Sequence, residues 1–196
     1  MFHGCSTINQ SGNTIMDAQT KIEALTDNPE LEWHLIGHLQ KNKVKFCPGN
    51  FQWIHTLDST ELAEKLEARS AFAQKKINVL LQVNLSREIT KSGLHDWEDI
   101  LKVSETILSG KWLKLRGLMT IPAPNIGETP TRKIYEKLRV WRDKLQQELD
   151  SAEITELSMG MTADFHWAIQ EGATMIRVGS AIFGERNEDM DYPTNM

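Results

Sequence analysis

The sequence predicts an α/β fold in which parallel strands are joined by helical crossovers. Apolar runs of strand length and amphipathic stretches of helical spacing alternate in strict succession from about residue 33 to residue 184. One of these runs, Val79-Leu80-Leu81-Gln82-Val83, is almost continuously apolar, as befits a strand covered on both faces. The composition is that of a globular protein. With its 12 glycines the chain is about 46% apolar, and 25% of its residues are charged. This excludes disordered, collagen-like and disulfide-scaffold classes. At 196 residues the chain makes one domain, or at most two small ones.

The elements follow in order. A helix opens the chain at about residues 14–25. Trp33 to Ile36 is a short apolar run ending at Gly37, and Phe51 to Leu57 is another, followed by a capping Asp58 or Ser59. Residues 60–74 carry Leu62, Ala63, Leu66 and Phe72 at near-helical spacing with charges between them. A strand follows from Ile77 to Val83. Residues 95–108 read as a helix through Trp97, Ile100, Leu101, Ile107 and Leu108. Leu115 to Ile121 is a strand stopped by Pro122 and Pro124. Residues 130–149 form a longer helix with Ile134, Leu138, Trp141, Leu145 and Leu149 on one face. Ile154 to Met159 is a strand, 162–171 a helix, Met175 to Val178 a strand and 180–184 a short helix.

Two architectures accommodate this succession, an open doubly wound sheet and a (β/α)8 TIM barrel. The open sheet expects a Gly-rich fingerprint after its first strand, and the sequence contains no G-x-G-x-x-G. The barrel usually takes about 250 residues, with about 200 at the low end. Its strand count falls short here at the N-terminal end, because residues 1–13 hold no apolar run of strand length.

Charge narrows the function. The net charge of −5 and the pI near 5.7 argue against a nucleic-acid partner, since such domains cluster Lys and Arg on one face. Lys41, Lys43 and Lys45 form an isolated basic run, read as a solvated helix face. No stretch approaches the roughly 18 apolar residues of a membrane span, and Met1 to Cys5 lack the features of a secretory signal. Cys5 and Cys47 share no metal-ligand spacing, and the six histidines are scattered. A cytoplasmic protein with inert thiols, no metal and no membrane partner is expected; the oligomeric state is left open. No catalytic triad, zinc motif or nucleophile elbow is present.

The candidate chemistry lies in the last third. Leu157-Ser158-Met159-Gly160-Met161-Thr162 closes a strand and opens a helix, with Asp164 in that helix's first turn, and Met175-Ile176-Arg177-Val178-Gly179-Ser180 repeats the arrangement. Small and hydroxylated residues at strand-to-helix turns leave backbone N–H groups free for an anion. In barrels the loops after strands seven and eight are the common phosphate site. The same residues also read as ordinary helix caps. Arg177 interrupts an apolar strand, so it is either outward or salt-bridged, or a charged group at the mouth of a pocket. His34 is either a hydrogen-bonded core histidine or a ligand-facing one. Gln82 and Asn84 end a strand at the face where barrel sites form, and Asn84 serves equally as a turn residue.

With these residues in view, the chain resembles the pyridoxal phosphate homeostasis protein family, the proline synthetase co-transcribed type. The matching strings are Trp33-His34-Leu35-Ile36-Gly37-His38-Leu39-Gln40-Lys41-Asn42-Lys43, His55-Thr56-Leu57-Asp58, Gln82-Val83-Asn84 and Lys91-Ser92-Gly93, and then Leu115-Arg116-Gly117-Leu118-Met119-Thr120-Ile121-Pro122. Leu157-Ser158-Met159-Gly160-Met161-Thr162-Ala163-Asp164 and Arg177-Val178-Gly179-Ser180-Ala181-Ile182-Phe183-Gly184 complete the match. The resemblance implies a (β/α)8 barrel of the alanine-racemase N-terminal type. It would bind pyridoxal 5′-phosphate without turnover and serve intracellular control of that cofactor. It further implies that Ser158, Met161, Thr162, Gly179 and Ser180 surround the phosphate and that Arg177 faces the pyridine nitrogen. His34 and Asn13 would lie near the cofactor.

The sequence departs from the family pattern at its start. The family's first strand, of the type Val-Ser-Lys-Thr-Lys-Pro, carries the lysine that forms the Schiff base, and it is absent here with the helix after it. The next family string, Phe-Gly-Glu-Asn, is reduced to Gln10-Ser11-Gly12-Asn13. The expected organisation is therefore a divergent segment at 1–12, a cofactor-binding barrel at 13–186 that lacks its first strand–helix unit, and a tail at 187–196. None of the 14 lysines is an evident substitute for the missing one. Two functions are compatible with this: a binder that retains its phosphate cup, or a non-binding, interaction-only fragment of a longer family member. An amino-acid racemase would need the same lysine and a second domain.

Overall fold

The computed structural model describes residues 5–6, 14–25, 27–28, 30–86 and 92–184. Their strands are β1 (Cys5–Ser6), β2 (His34–Leu35), β3 (Trp53–Leu57), β4 (Ile77–Gln82), β5 (Leu113–Met119), β6 (Glu156–Met161) and β7 (Met175–Arg177). All pair in parallel and in sequence order, β1 to β7. Helices α1 (Thr14–Ala24), α2 (Thr60–Ala73), α3 (Trp97–Ser109), α4 (Glu128–Glu148), α5 (Phe165–Gln170) and α6 (Ser180–Phe183) alternate with them, and a 3₁₀ helix spans Lys41–Phe46. The result is a partial TIM barrel. Among the described residues β7 and β1 do not pair.

The period-2 alternation of the strands separates two cores. On the outer face Ile77, Val79, Leu81 and Val83 of the β4 run, with Ile54, Leu115, Leu118, Leu157 and Met159, pack against the helices through Leu62, Leu66, Ile100, Val103, Tyr135, Leu138 and Leu145. On the inner face Trp53, Leu80 and Met119 form a much smaller apolar cluster, joined by Ile121 and Met175. The register shifts between Ile54 and Leu57, between Val79 and Leu80, and between Ser158 and Met161, as bulges in a curved sheet do. One carboxylate ties the helical layer to the sheet. Glu67 of α2 accepts the N–H groups of Lys111, Trp112 and Leu113 at 2.7–3.2 Å, fixing the turn that leads from α3 into β5.

Three expectations are corrected. Phe72 is 87% exposed; the buried stripe of α2 runs through Leu62, Ala63, Leu66 and Ser70, and Phe72 falls off it. The stretch 1–13 does hold a strand, β1, whose two residues pair with His34 and Leu35. So short a pairing needs main-chain hydrogen bonds only and leaves no apolar run to read. The helix expected at 162–171 starts at Phe165, because residues 161–164 are occupied by a turn in which Asp164 Oδ1 accepts the Met161 N–H at 2.6 Å. Of the two capping candidates after β3, Ser59 is the N-cap of α2 and accepts the Leu62 N–H.

Gly160 permits that turn. Its φ is +94°, and a Cβ there would lie 2.6 Å from the Ala168 Cβ and 3.0 Å from the Phe165 Cα. Only a residue without a side chain lets α5 close onto β6. Replacing Gly160 with Ala combines a left-handed backbone with overpacking and is expected to destabilise the fold by about 2–4 kcal/mol, read from urea unfolding. A loss below about 0.5 kcal/mol, the scale of an ordinary surface substitution, would contradict the close approach.

Candidate functional site

Arg177 ends β7 on the inner face, 9% exposed. Its guanidinium crosses to the neighbouring strands. Nη1 donates to the Ser158 carbonyl at 3.0 Å and to Ser158 Oγ at 2.8 Å, and Nη2 donates to the Thr120 carbonyl at 2.9 Å. All three acceptors are neutral oxygens. Of the readings open for Arg177, the outward-facing one is excluded: its side chain is buried inside the sheet's curve.

Ser158 carries the network onward. His55 Nδ1 lies 2.9 Å from Ser158 Oγ, and His55 Nε2 lies 2.9 Å from His34 Nδ1. The His34 ring stacks on Trp53 with centroids 5.4 Å apart and planes inclined by 7°. His34, His55 and Ser158 are all buried. Burial, then the neighbouring His34 and Arg177, holds His55 well below its ordinary value of 6.5. On α4 the Tyr135 ring is buried, and its phenol is pushed above its usual range, first by burial and next by the Asp164 carboxylate.

A second group of residues stands at the C-terminal rim of β6 and β7. Thr162 Oγ1 accepts the Gly179 N–H at 3.3 Å, so the two strand-to-helix turns touch. Ser180, the first residue of α6, and Met161 are exposed. A Cβ built on Gly179 meets nothing within 4 Å, so the turn borders open space. None of Ser158, Thr162 and Ser180 caps a helix through its side chain: α5 and α6 are entered through Asp164 and Gly179 without a side-chain cap bond.

The sequence candidates therefore divide in two. His34, Ser158 and Arg177 meet in the interior, while Met161, Thr162, Gly179 and Ser180 meet at the rim. Ser158 stands with Arg177 and not beside the two turns. Asn13 lies outside the described residues. Gln82 Nε2 donates to the Ser92 carbonyl, and Asn84 Oδ1 accepts from Ser86, so both serve the loop after β4. His55, Trp53, Thr120 and Tyr135 are the residues that sequence reasoning did not single out. Trp53 and His55 share a strand face by their spacing of two, which is the signal that could have paired them. Lys41 of the basic run is exposed and ion-paired with Glu61. Cys47 is wholly buried, and burial pushes its thiol up to about 12, so it is held as the inert neutral thiol.

Comparison with known proteins agrees with this architecture. The family model of the alanine racemase N-terminal domain matches residues 13–187. The pyridoxal phosphate homeostasis protein of Pasteurella multocida is 40% identical over 176 residues, covering 89% of this chain and 75% of that protein. The chain belongs to this family. The family member of Aquifex aeolicus is also 40% identical, over 185 residues, covering 94% of this chain and 80% of that protein. Among solved structures, PipY of Synechococcus elongatus with PLP bound superposes with a TM-score of 0.80 at 36% identity, covering 87% of this chain and 78% of that one. Alanine racemase of Clostridium difficile, 17% identical with a TM-score of 0.68, shares the fold over 97% of this chain and 54% of its own. Among the described residues no helix is long and apolar enough to cross a membrane.

The depressed His55 fixes the sign of one pH dependence. Unfolded, His55 takes up a proton near its ordinary 6.5; folded, it does not. Its contribution is undisturbed above that pH and is lost on acidification below it, at up to ~1.4 kcal/mol per pH unit. Urea unfolding of the wild type and of His55→Asn between pH 7.5 and 5.0 is expected to diverge below pH 6.5, the wild type losing more. Parallel profiles would contradict a neutral, buried His55.

Proposed function

We propose that this chain binds pyridoxal 5′-phosphate noncatalytically and serves intracellular homeostasis of that cofactor. The observation that carries the reading is Arg177, a buried guanidinium fixed by neutral oxygens inside the barrel. It lies on the strand that leads directly into one of the two hydroxyl- and glycine-bearing turns at the rim. The donor set suits the cofactor. A fixed cation that can only donate matches a ring nitrogen with a lone pair, and turns with open space at Gly179 suit a phosphate. The names of the relatives and the PLP-bound PipY structure support the same ligand.

In this reading Thr162, Gly179, Ser180 and the Met161 backbone hold the phosphate, Arg177 orients the ring through its nitrogen, and His34 with Trp53 walls the interior. Ser158 acts beneath Arg177, as its support. Asn13 is kept as a candidate contact of the cofactor. Bound pyridoxal phosphate supplies an aldehyde and an electron-withdrawing ring. Arg177 has no proton to give to the ring nitrogen at neutral pH, which favours carrying the cofactor over driving chemistry on it. No lysine among the described residues is buried, which supports noncovalent retention. The two units of function we infer are thus a barrel over 13–186 and its single small-molecule ligand, in the cytoplasm, with no nucleic-acid or membrane partner.

Titration of the purified chain with pyridoxal 5′-phosphate, followed by absorbance, is expected to show saturable binding of one equivalent. Arg177→Ala should weaken it about 10-fold to 100-fold, the effect of removing a charged hydrogen-bond donor, and Ser180→Ala less. Borohydride reduction and mass spectrometry should find no stoichiometric lysine adduct. Absence of saturable binding to the folded chain would overturn the reading and leave the interaction-only alternative; a single modified lysine would overturn noncovalent retention.

A further inference from the structure

Arg177 does not only bind Ser158; it dictates where protons sit on three residues beyond it. A guanidinium can only donate, so at 2.8 Å from Arg177 Nη1 the Ser158 oxygen is an acceptor. The other contact of Ser158 Oγ is His55 Nδ1 at 2.9 Å. The hydroxyl proton therefore points to His55, and Nδ1 accepts it. A neutral imidazole that accepts at Nδ1 carries its proton at Nε2. His55 Nε2 faces His34 Nδ1 at 2.9 Å, so His55 donates and His34 Nδ1 accepts in turn. His34 then also carries its proton at Nε2. Every bond runs in one direction, from β7 through β6 and β3 to β2.

We propose that His55 is a positioning residue for Arg177: by accepting the Ser158 hydroxyl at Nδ1 it keeps a Ser158 lone pair turned to the guanidinium, which locks the direction in which Arg177 presents its charge to a ligand. The opposite tautomer of His55 would point Nδ1–H at Ser158 Oγ, which already receives the guanidinium. The serine proton would then have no acceptor among its described contacts, at the cost of an unsatisfied buried donor. The chain gives His55 a role that neither packing nor direct ligand contact supplies, since its two ring nitrogens face Ser158 and His34. Its consequence for the cofactor rests on the binding reading above; its consequence for the protons does not.

The first test needs no ligand and no variant. Long-range proton–nitrogen NMR correlation on the 15N-labelled chain at pH 7.5 distinguishes pyridine-type from pyrrole-type ring nitrogens. His55 and His34 are each expected to show a pyridine-type Nδ1 and a pyrrole-type Nε2. A pyrrole-type Nδ1 on His55, or an imidazolium there, overturns the proposal. The second test separates positioning from packing. In His55→Asn the side-chain amide falls where Nδ1 stood and can still accept from Ser158; in His55→Gln it reaches toward the place of Nε2 instead. With each variant's fold checked by thermal melting, His55→Gln is expected to weaken pyridoxal 5′-phosphate binding about 10-fold, the scale of one buried hydrogen bond, and His55→Asn clearly less. Equal losses from folded Asn and Gln variants overturn positioning. If the wild type itself binds no cofactor, the binding reading fails, and the tautomers alone decide this inference.

Discussion

The site depends on one buried cation. Arg177 reaches from β7 over β6 to the carbonyl of Thr120 just beyond β5, and so ties together strand ends that the backbone ladder joins only pairwise. An isolated charge in that position would cost several kcal/mol. Three oxygens around it replace part of its hydration, and the same bonds remove its freedom to turn. What results is a cation of fixed direction on the inner face, a group that a barrel interior of apolar side chains alone would lack.

The rest of the sheet is arranged to keep that inner face different from the outer one. Helices cover the outer face with a continuous aliphatic layer, which supplies the bulk of the hydrophobic drive. The inner face is left with a small apolar cluster next to the polar chain from His34 to Arg177. Bulges in β3, β5 and β6 set which side chains point inward. In β3 the bulge follows Ile54, and His55 still faces inward beyond it. Gly160 closes the β6 turn against α5, so that Thr162 comes within reach of Gly179.

How far the site was legible varies residue by residue. Arg177 stood out because a charge inside an apolar strand has few explanations, and its neighbours Gly179 and Ser180 because small residues mark a strand-to-helix turn. His55 did not stand out, because a histidine in a strand is ordinary, and its partner Ser158 lies 103 residues away. Thr120 contributes a backbone carbonyl to Arg177, and a carbonyl has no sequence signature. The family resemblance places Ser158 with the rim residues around the phosphate, whereas its position within β6 sends its side chain inward beneath Arg177.

By itself the sequence determined the succession of parallel strands and helices, because burial imposes a period on each element that survives without knowledge of its neighbours; the barrel class and the family came from the resemblance of its motif strings. It also singled out the ends of β6 and β7 as the candidate site, where small and hydroxylated residues stand at the turns. Only the tertiary structure decided that Arg177 points inward, that Ser158 supports it and that the two histidines stand in line behind them. Such facts depend on the register between strands far apart in the chain, and register is fixed by packing and bulges, not by any local pattern.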